Sequence, residues 1–349
     1  MNTSVTILLP AQEPSPVTKA ANLVRHAILS VGLFTTVVLG FINPTTVEAA
    51  PNPGKKSTAQ VDTFPYGVVS DGKSIWVGCG FTGTVVQLRP SDGARLGTYP
   101  VASWGGPLQL MFDGQNIWVS NFESSTLTVL RASDGSLVGY HSVIHPLGMT
   151  FDGHDVWVAN GFENGITRIH PSDGSQTFVP TGVYPQRLAF DGANVWVSNH
   201  LQHNVTKVNV ATATVVGNYA VGDSPIGIAF DGANIWVVNN GDNTVSKLKA
   251  KTGALVGTYP VGSGPLEIAF NGKYMWISNF GDSTVTKMNA KDASVPQTIS
   301  GLSSPTGIAF DGRNMWVANW EPTVVDPAQP WLDIWFATKF RDNGVVCSP

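Results

Sequence analysis

Three side chains interrupt a series of glycines and are the first candidates for chemistry: Gln109, Arg187 and Glu267. Each stands two residues after a recurring proline (Pro107, Pro185, Pro265), where four other copies of the segment carry glycine. Around them, loops present aromatic or imidazole groups at Phe81, Phe122, Phe162, His200, Phe280 and Trp320. Trp104 lies in a loop two residues longer than its counterparts, and Glu321 in an insertion of about twelve residues running from Trp320 to Trp331. If these groups share one concave face, they form an aromatic collar holding an arginine and a few carboxylates. Such a surface suits a planar, sugar-like or peptide-like ligand; the alternative is that the aromatics pack on adjacent loops and Arg187 pairs with an acid in the channel. Arg187→Ala is then expected to weaken binding and to change stability little.

Metal binding or acid–base catalysis would require His and carboxylate groups to converge. Those on the same face are His145, His200, His203, Glu123, Glu163, Glu267 and Glu321, spread over several repeats; neither H-E-x-x-H nor G-x-S-x-G occurs. No catalytic residue and no metal ligand is therefore assigned. The run Gly78-Cys79-Gly80-Phe81-Thr82-Gly83 matches G-x-G-x-x-G. A dinucleotide fingerprint needs a helix after the glycines, and here a strand follows, so the match is accidental.

The elements that must position these groups are written as a repeat. Seven tryptophans (Trp76, Trp118, Trp157, Trp196, Trp236, Trp276, Trp316) recur every 39 to 42 residues, each eleven residues after a proline. The unit is cleanest as PIGIAFDGANIWVVNN. A period near 40 residues, with short strands split by turn signals, predicts an all-β propeller of seven four-stranded antiparallel blades. In repeat 5 the four strands are expected at 227–230, 235–239, 244–248 and 254–261, with Asp231-Gly232 turning the first hairpin. The tryptophans are expected to pack between blades. Asparagine follows the tryptophan by three residues in six repeats, a pattern expected to cap strand-end backbone. Lys207, Lys247 and Lys287 read as a solvated row.

Register also predicts how the ring closes. Phe336 to Phe340 align with the third strand of repeat 6, leaving repeat 7 without an outer strand, and Ser57 to Val61 occupy that slot. The last blade is thus expected to be built from both chain ends, which removes an exposed edge.

The unit P-x-G-I-A-F-D-G-x-x-I-W-V-x-N, with T-V-x-K-L and T-G after it, resembles YVTN-type and NHL-type propeller repeats, and more loosely the virginiamycin B (streptogramin B) lyase family. The resemblance spans residues 57 to 347. The lyase likeness implies a seven-bladed, magnesium-dependent carbon–oxygen lyase that opens a cyclic depsipeptide by elimination, using His and Glu on one face. Blades of that type commonly carry W-F-T-E where this chain has W-V-x-N, so no catalytic residue carries over. The YVTN likeness implies a binding or surface protein.

Residues 1–49 read as a signal peptide, with Lys19, Arg25 and His26 ahead of the apolar run Ala27 to Ile42 and Val47-Glu48-Ala49 at the cleavage position. Sixteen apolar residues are short of the roughly 20 a bilayer span needs, with an uncleaved anchor as the alternative. Residues 50–56 read as a linker and 57–349 as the propeller. A net charge of −4 and the lack of a basic stripe argue against nucleic acid as partner. Cys79 and Cys347 fall at opposite ends of their blades, too far apart to be expected as a disulfide.

The expected protein is a secreted or periplasmic monomer with no membrane span after cleavage and no cofactor. It would bind a small molecule, glycan, peptide or protein partner without catalysis. The alternative is a lyase or lactonase-like enzyme using Mg2+.

Overall fold

The computed structural model describes residues 57–62, 64–102, 106–295, 297–320 and 336–341. The expected signal peptide and linker, Trp104, Glu321 and Cys347 lie outside them. The chain divides into two units, Met1–Glu48 and Ala49–Pro349, and every described strand belongs to the second. Among the described residues no helix is long and apolar enough to cross a membrane; the helical element there is a three-residue 3-10 turn, His200–Gln202.

The repeat count predicts seven blades, the last built from both chain ends. Six, not seven, are built from four strands consecutive in sequence. Repeat 5 is typical: Pro225–Phe230, Asn234–Asn239, Thr244–Lys249 and Leu255–Pro260, each antiparallel to the next. The remaining four-stranded sheet is a composite. Pro305–Phe310 and Asn314–Asn319 are joined by Phe336–Arg341, and Ser57–Gln60 from the opposite end of the chain pairs with the latter, Ser57 facing Lys339. Among the described residues, the chain after Asn319 supplies one strand to this sheet where the other repeats supply two.

One local device recurs in the first hairpin of six repeats. The Asp of the Asp-Gly pair stays behind while Gly takes the positive φ, as at Gly232 (φ 97°). The aspartate Oδ1 accepts two backbone N–H groups from the turn at 2.5–2.9 Å. Its Oδ2 accepts the indole N–H of the tryptophan five residues on, at 2.7–2.8 Å in six repeats. Burial raises the carboxyl pKa of Asp231 and Asp311, but these donors outweigh it and hold both below the ordinary value.

Each ring then lies fully buried between neighbouring sheets. Trp236 packs with Ile268, Met275 and Met288 of the next repeat, and Trp196 with Ile228 and Leu248. At the junction of the two chain ends, Trp316 packs with Val68, Ile75 and Val77, while Ala59 and Val61 complete the same cluster.

Two expectations about scaffold residues are corrected. Lys207, Lys247 and Lys287 are not a solvated row but are buried, with Nζ 4.7–5.0 Å from the tryptophan rings of their own blades. Lys207 and Lys247 donate to the carbonyls of Ala250 and Ala290 in the following blade, both at 2.7 Å. Third-strand alternation places these lysines on the face that meets the neighbour, and the long stem lets the ammonium reach its backbone. The asparagines likewise bind side chains more than strand-end backbone. Asn239 donates to Thr244 and Ser246 Oγ, and Asn279 to Thr284 and Thr286, all at 2.9 Å, tying second strand to third.

In repeat 6, Asn271 replaces the aspartate, and Trp276 Nε1 is buried with no hydrogen-bond partner. Asn271→Asp should supply the missing acceptor, adding about 1 kcal/mol and raising the melting temperature by roughly 2 °C. An unchanged or lower melting temperature would show that the indole bond contributes nothing here.

Asp62 accepts from Thr84 Oγ1 and Arg95 Nη1, both at 2.8 Å, which fastens the segment after Ser57–Gln60 to repeat 1. A chain beginning at Thr63 should therefore melt roughly 5 °C or more below one beginning at Pro51. Calorimetry giving equal values would mean the composite sheet does not need its fourth strand.

Candidate functional site

The inner strands bring Gln109, Arg187 and Glu267 together, and the way they do so follows from the start of each blade. After the blade proline the ladder slips by one residue: Pro185 pairs with Asn199, then Leu188 with Val197. In repeats 4 and 6 this bulge turns the second residue after the proline out of the ladder and toward the axis, whereas in repeat 2 the slip falls one residue earlier and Gln109 pairs with Ser120. Glycine is required in repeats 1, 3, 5 and 7 because the next inner strand approaches closely. A Cβ on Gly148 would come within 2.6 Å of Arg187 Cα, and one on Gly67 within 2.9 Å of Gln109 Cα.

The three long side chains fill the space so created. Arg187 Nε donates to Glu267 Oε1 at 2.5 Å across two repeats, and Gln109 Nε2 donates to the same oxygen at 3.0 Å. Arg187 lies over the Tyr66 ring at 5.8 Å. Burial works against the Arg187 charge, but the Glu267 carboxylate and Tyr66 hold the guanidinium more firmly protonated than usual. Arg187 and Glu267 are 5% and 7% exposed, so their charges meet each other rather than solvent. They form a plug across the axis.

The pattern has a second half that sequence reading missed. Repeats 2, 4 and 6 carry serine two residues after the tryptophan (Ser120, Ser198, Ser278), where the others have Gly78, Ala159, Val238 and Ala318. These hydroxyls accept the backbone N–H groups of Gln109, Arg187 and Glu267 at 3.0–3.1 Å. Ser198 and Ser278 also donate to Ile226 O and Thr306 O of the next repeat, both at 2.6 Å. The signal was the covariation of the two positions along the chain.

Above the plug the rings form two arcs. Phe122, His145, Phe162, Tyr184 and His200 make one, with successive centroids 4.8–5.8 Å apart. Phe280, Trp320 and Phe64 make the other, at 5.2 and 4.6 Å. Phe81 is exposed. His145, Tyr184 and Phe64 directly precede blade prolines and hold positive φ of 43°, 58° and 66°, uncommon for side chains of this size. Their carbonyls accept the N–H groups of Gly161, His200 and Gly80 at 2.8–3.1 Å.

Within the larger arc, Phe122 and Tyr184 are buried and Phe162 is 41% exposed. Burial pushes the Tyr184 hydroxyl up to about 12 and His200 below its ordinary value. The Nδ1 atoms of His145 and His200 are buried with no hydrogen-bond partner. Beside this arc, Ile144, Asn160, Glu163, Gln176 and Phe178 help to line a depression of about 340 Å³. Among the described residues, the His and acidic groups of this face do not gather tightly enough to hold an ion.

Comparison with known proteins bears on the fold. No family model matches the chain. No curated protein matches it. Among solved structures, a streptogramin B lyase superposes with a TM-score of 0.69 at 17% identity, covering 82% of this chain and 97% of that one. A catalytically inactive variant of virginiamycin B lyase from Staphylococcus aureus, with quinupristin, gives 0.68 at 17%, covering 82% and 98%. Hydrazine synthase from Kuenenia stuttgartiensis gives 0.67 at 18%, covering 88% and 100%. At such identities the likeness is one of fold: the chain is a β-propeller similar to that of the lyase.

Because its guanidinium is paired in the plug, Arg187 does not behave as a ligand contact that can be removed at no cost. Arg187→Ala or Glu267→Ala should each destabilise the protein by about 3–5 kcal/mol by stranding the partner charge. The double change Arg187→Met with Glu267→Leu should recover most of that loss. Urea denaturation of the three variants checks this, and additive losses in the double variant would contradict it.

Proposed function

We propose that this is an exported propeller whose ringed face binds a ligand or partner, without catalysis of its own. The observation that carries the reading is the arc Phe122–His145–Phe162–Tyr184–His200. It offers the exposed ring of Phe162, backed by the buried rings of Phe122 and Tyr184 and flanked by two partly exposed imidazoles. Groups of that kind suit a sugar ring or a peptide with planar side chains, which supplies both an apolar face and hydrogen-bonding groups. The axial plug closes the floor beneath, so a ligand rests on the face instead of threading the channel.

The likeness to the streptogramin B lyase fold favours a second reading, a Mg2+-dependent carbon–oxygen lyase. The carboxylate nearest the axis, Glu267, already accepts hydrogen bonds from Arg187 and Gln109. This supports the binding reading over the catalytic one.

Screening the protein against glycan and peptide arrays, followed by calorimetry on the hits, tests the proposal. Phe162→Ser should weaken a true ligand about fivefold or more, since truncating an interface anchor costs upward of about 1 kcal/mol, and leave the melting temperature nearly unchanged. Ligands that bind Phe162→Ser as tightly as the parent chain would remove the arc as the site. Magnesium-stimulated opening of a cyclic depsipeptide, lost in His200→Gln, would replace the reading with the lyase.

A further inference from the structure

At the opposite end of the blades from the ringed face, repeat 3 departs from the others in three positions at once. Its first hairpin reads Asp152-Gly153-His154-Asp155, and its third strand, Gly165–Ile169, runs into His170. The other repeats place Ser, Asn or Tyr at the Asp155 position and Arg, Asn or Lys at the described equivalents of His170. The pairing of Val156 with Ile169 brings the two stretches side by side. One nitrogen from each imidazole and one Asp155 oxygen lie within 4.8 Å of one another.

Asp155 is the informative member. Its side chain is 1% exposed, and Oδ2 is held by Arg168, whose Nε donates at 2.6 Å. Oδ1 is buried with no hydrogen-bond partner. His154 Nδ1 approaches that oxygen at 3.2 Å but does not meet hydrogen-bond geometry. Two ligands of one tetrahedral Zn2+, each about 2.0 Å from the ion, stand about 3.3 Å apart. An orphaned carboxylate oxygen at that distance from an imidazole nitrogen is what a shared cation would produce.

The outer contacts have the character that orients metal ligands. Arg168 fixes the carboxylate through its other oxygen, while stacking over Trp157 at 5.5 Å. The backbone N–H of Ser172 donates to His170 Nδ1 at 3.3 Å and Ser172 Oγ lies 2.9 Å from the same atom, which holds the ring in place.

We infer that His154, Asp155 and His170 form a binding site for a Zn2+-class divalent ion, with solvent completing the coordination. Two nitrogens and one oxygen select for zinc, cobalt, nickel or copper and against Mg2+ and Ca2+, which take oxygen ligands. The ion would pin the first hairpin of repeat 3 to the end of its third strand, stabilising the folded chain by mass action.

The test is a Zn2+ titration of the full chain, stripped with chelator, in competition with a chromophoric zinc indicator. One equivalent should bind, and saturating Zn2+ should raise the melting temperature, whereas Mg2+ should do neither. His154→Gln and His170→Gln should each weaken binding at least tenfold, while His203→Gln, on the ringed face, should not. Both substituted side chains are partly exposed, 69% and 36%, so the variants should melt like the parent chain without zinc. Absence of one-to-one binding, or binding unchanged in both repeat 3 variants, would reduce the cluster to a His–Asp contact and overturn the assignment.

Discussion

The bond from a tryptophan indole N–H to an aspartate five residues earlier is the interaction on which the rest of this propeller depends. One carboxylate closes the first turn of the blade with one oxygen and aims the tryptophan with the other. The ring so aimed becomes the largest buried body between neighbouring sheets. A local turn and a long-range interface are thereby set by one side chain. That economy explains how a chain with only 13% charged residues and short strands assembles reproducible blades.

Much of the architecture was legible because it is written several times over. Proline, Asp-Gly, tryptophan and asparagine recur at fixed spacing, so strand order and the contribution of both chain ends to one sheet followed from register alone. What was not legible is which face of a strand meets water. Alternation in Thr244–Lys249 separates two faces, but in a ring of sheets both of them meet protein, so Lys247 reads as solvated and is buried. Its target, the Ala290 carbonyl, lies 43 residues away in a unit that looks the same as its own.

The candidate site was half legible for a related reason. The break from glycine to Gln109, Arg187 and Glu267 marked the axis, and the positions of the rings marked one face. That Arg187 could pair with an acid was open from its position, but which acid was not, because Arg187 and Glu267 are 80 residues apart and no pattern states that they meet. Tyr184 and His145 became neighbours of Phe162 only through the left-handed backbone ahead of each proline, a conformation that residue type alone does not announce. The histidines of repeat 3 were hidden in another way, since sixteen residues separate His154 from His170 and only strand pairing makes them neighbours.

The alternation of glycine with long residues around the axis has a bearing on how such a chain can change over time. Each glycine is the hollow into which the next repeat's backbone fits, and each serine secures the long residue beside it. The smallest self-complementary unit is therefore a pair of repeats, not one. Gene duplication of a single copy would set two bulky residues, or two hollows, side by side. The chain carries one such like-with-like junction, where Gly307 faces Tyr66 and the Thr306 hydroxyl reaches Pro65 O at 3.0 Å. It lies where the two ends of the propeller meet, the position at which an odd number of alternating repeats must place like beside like.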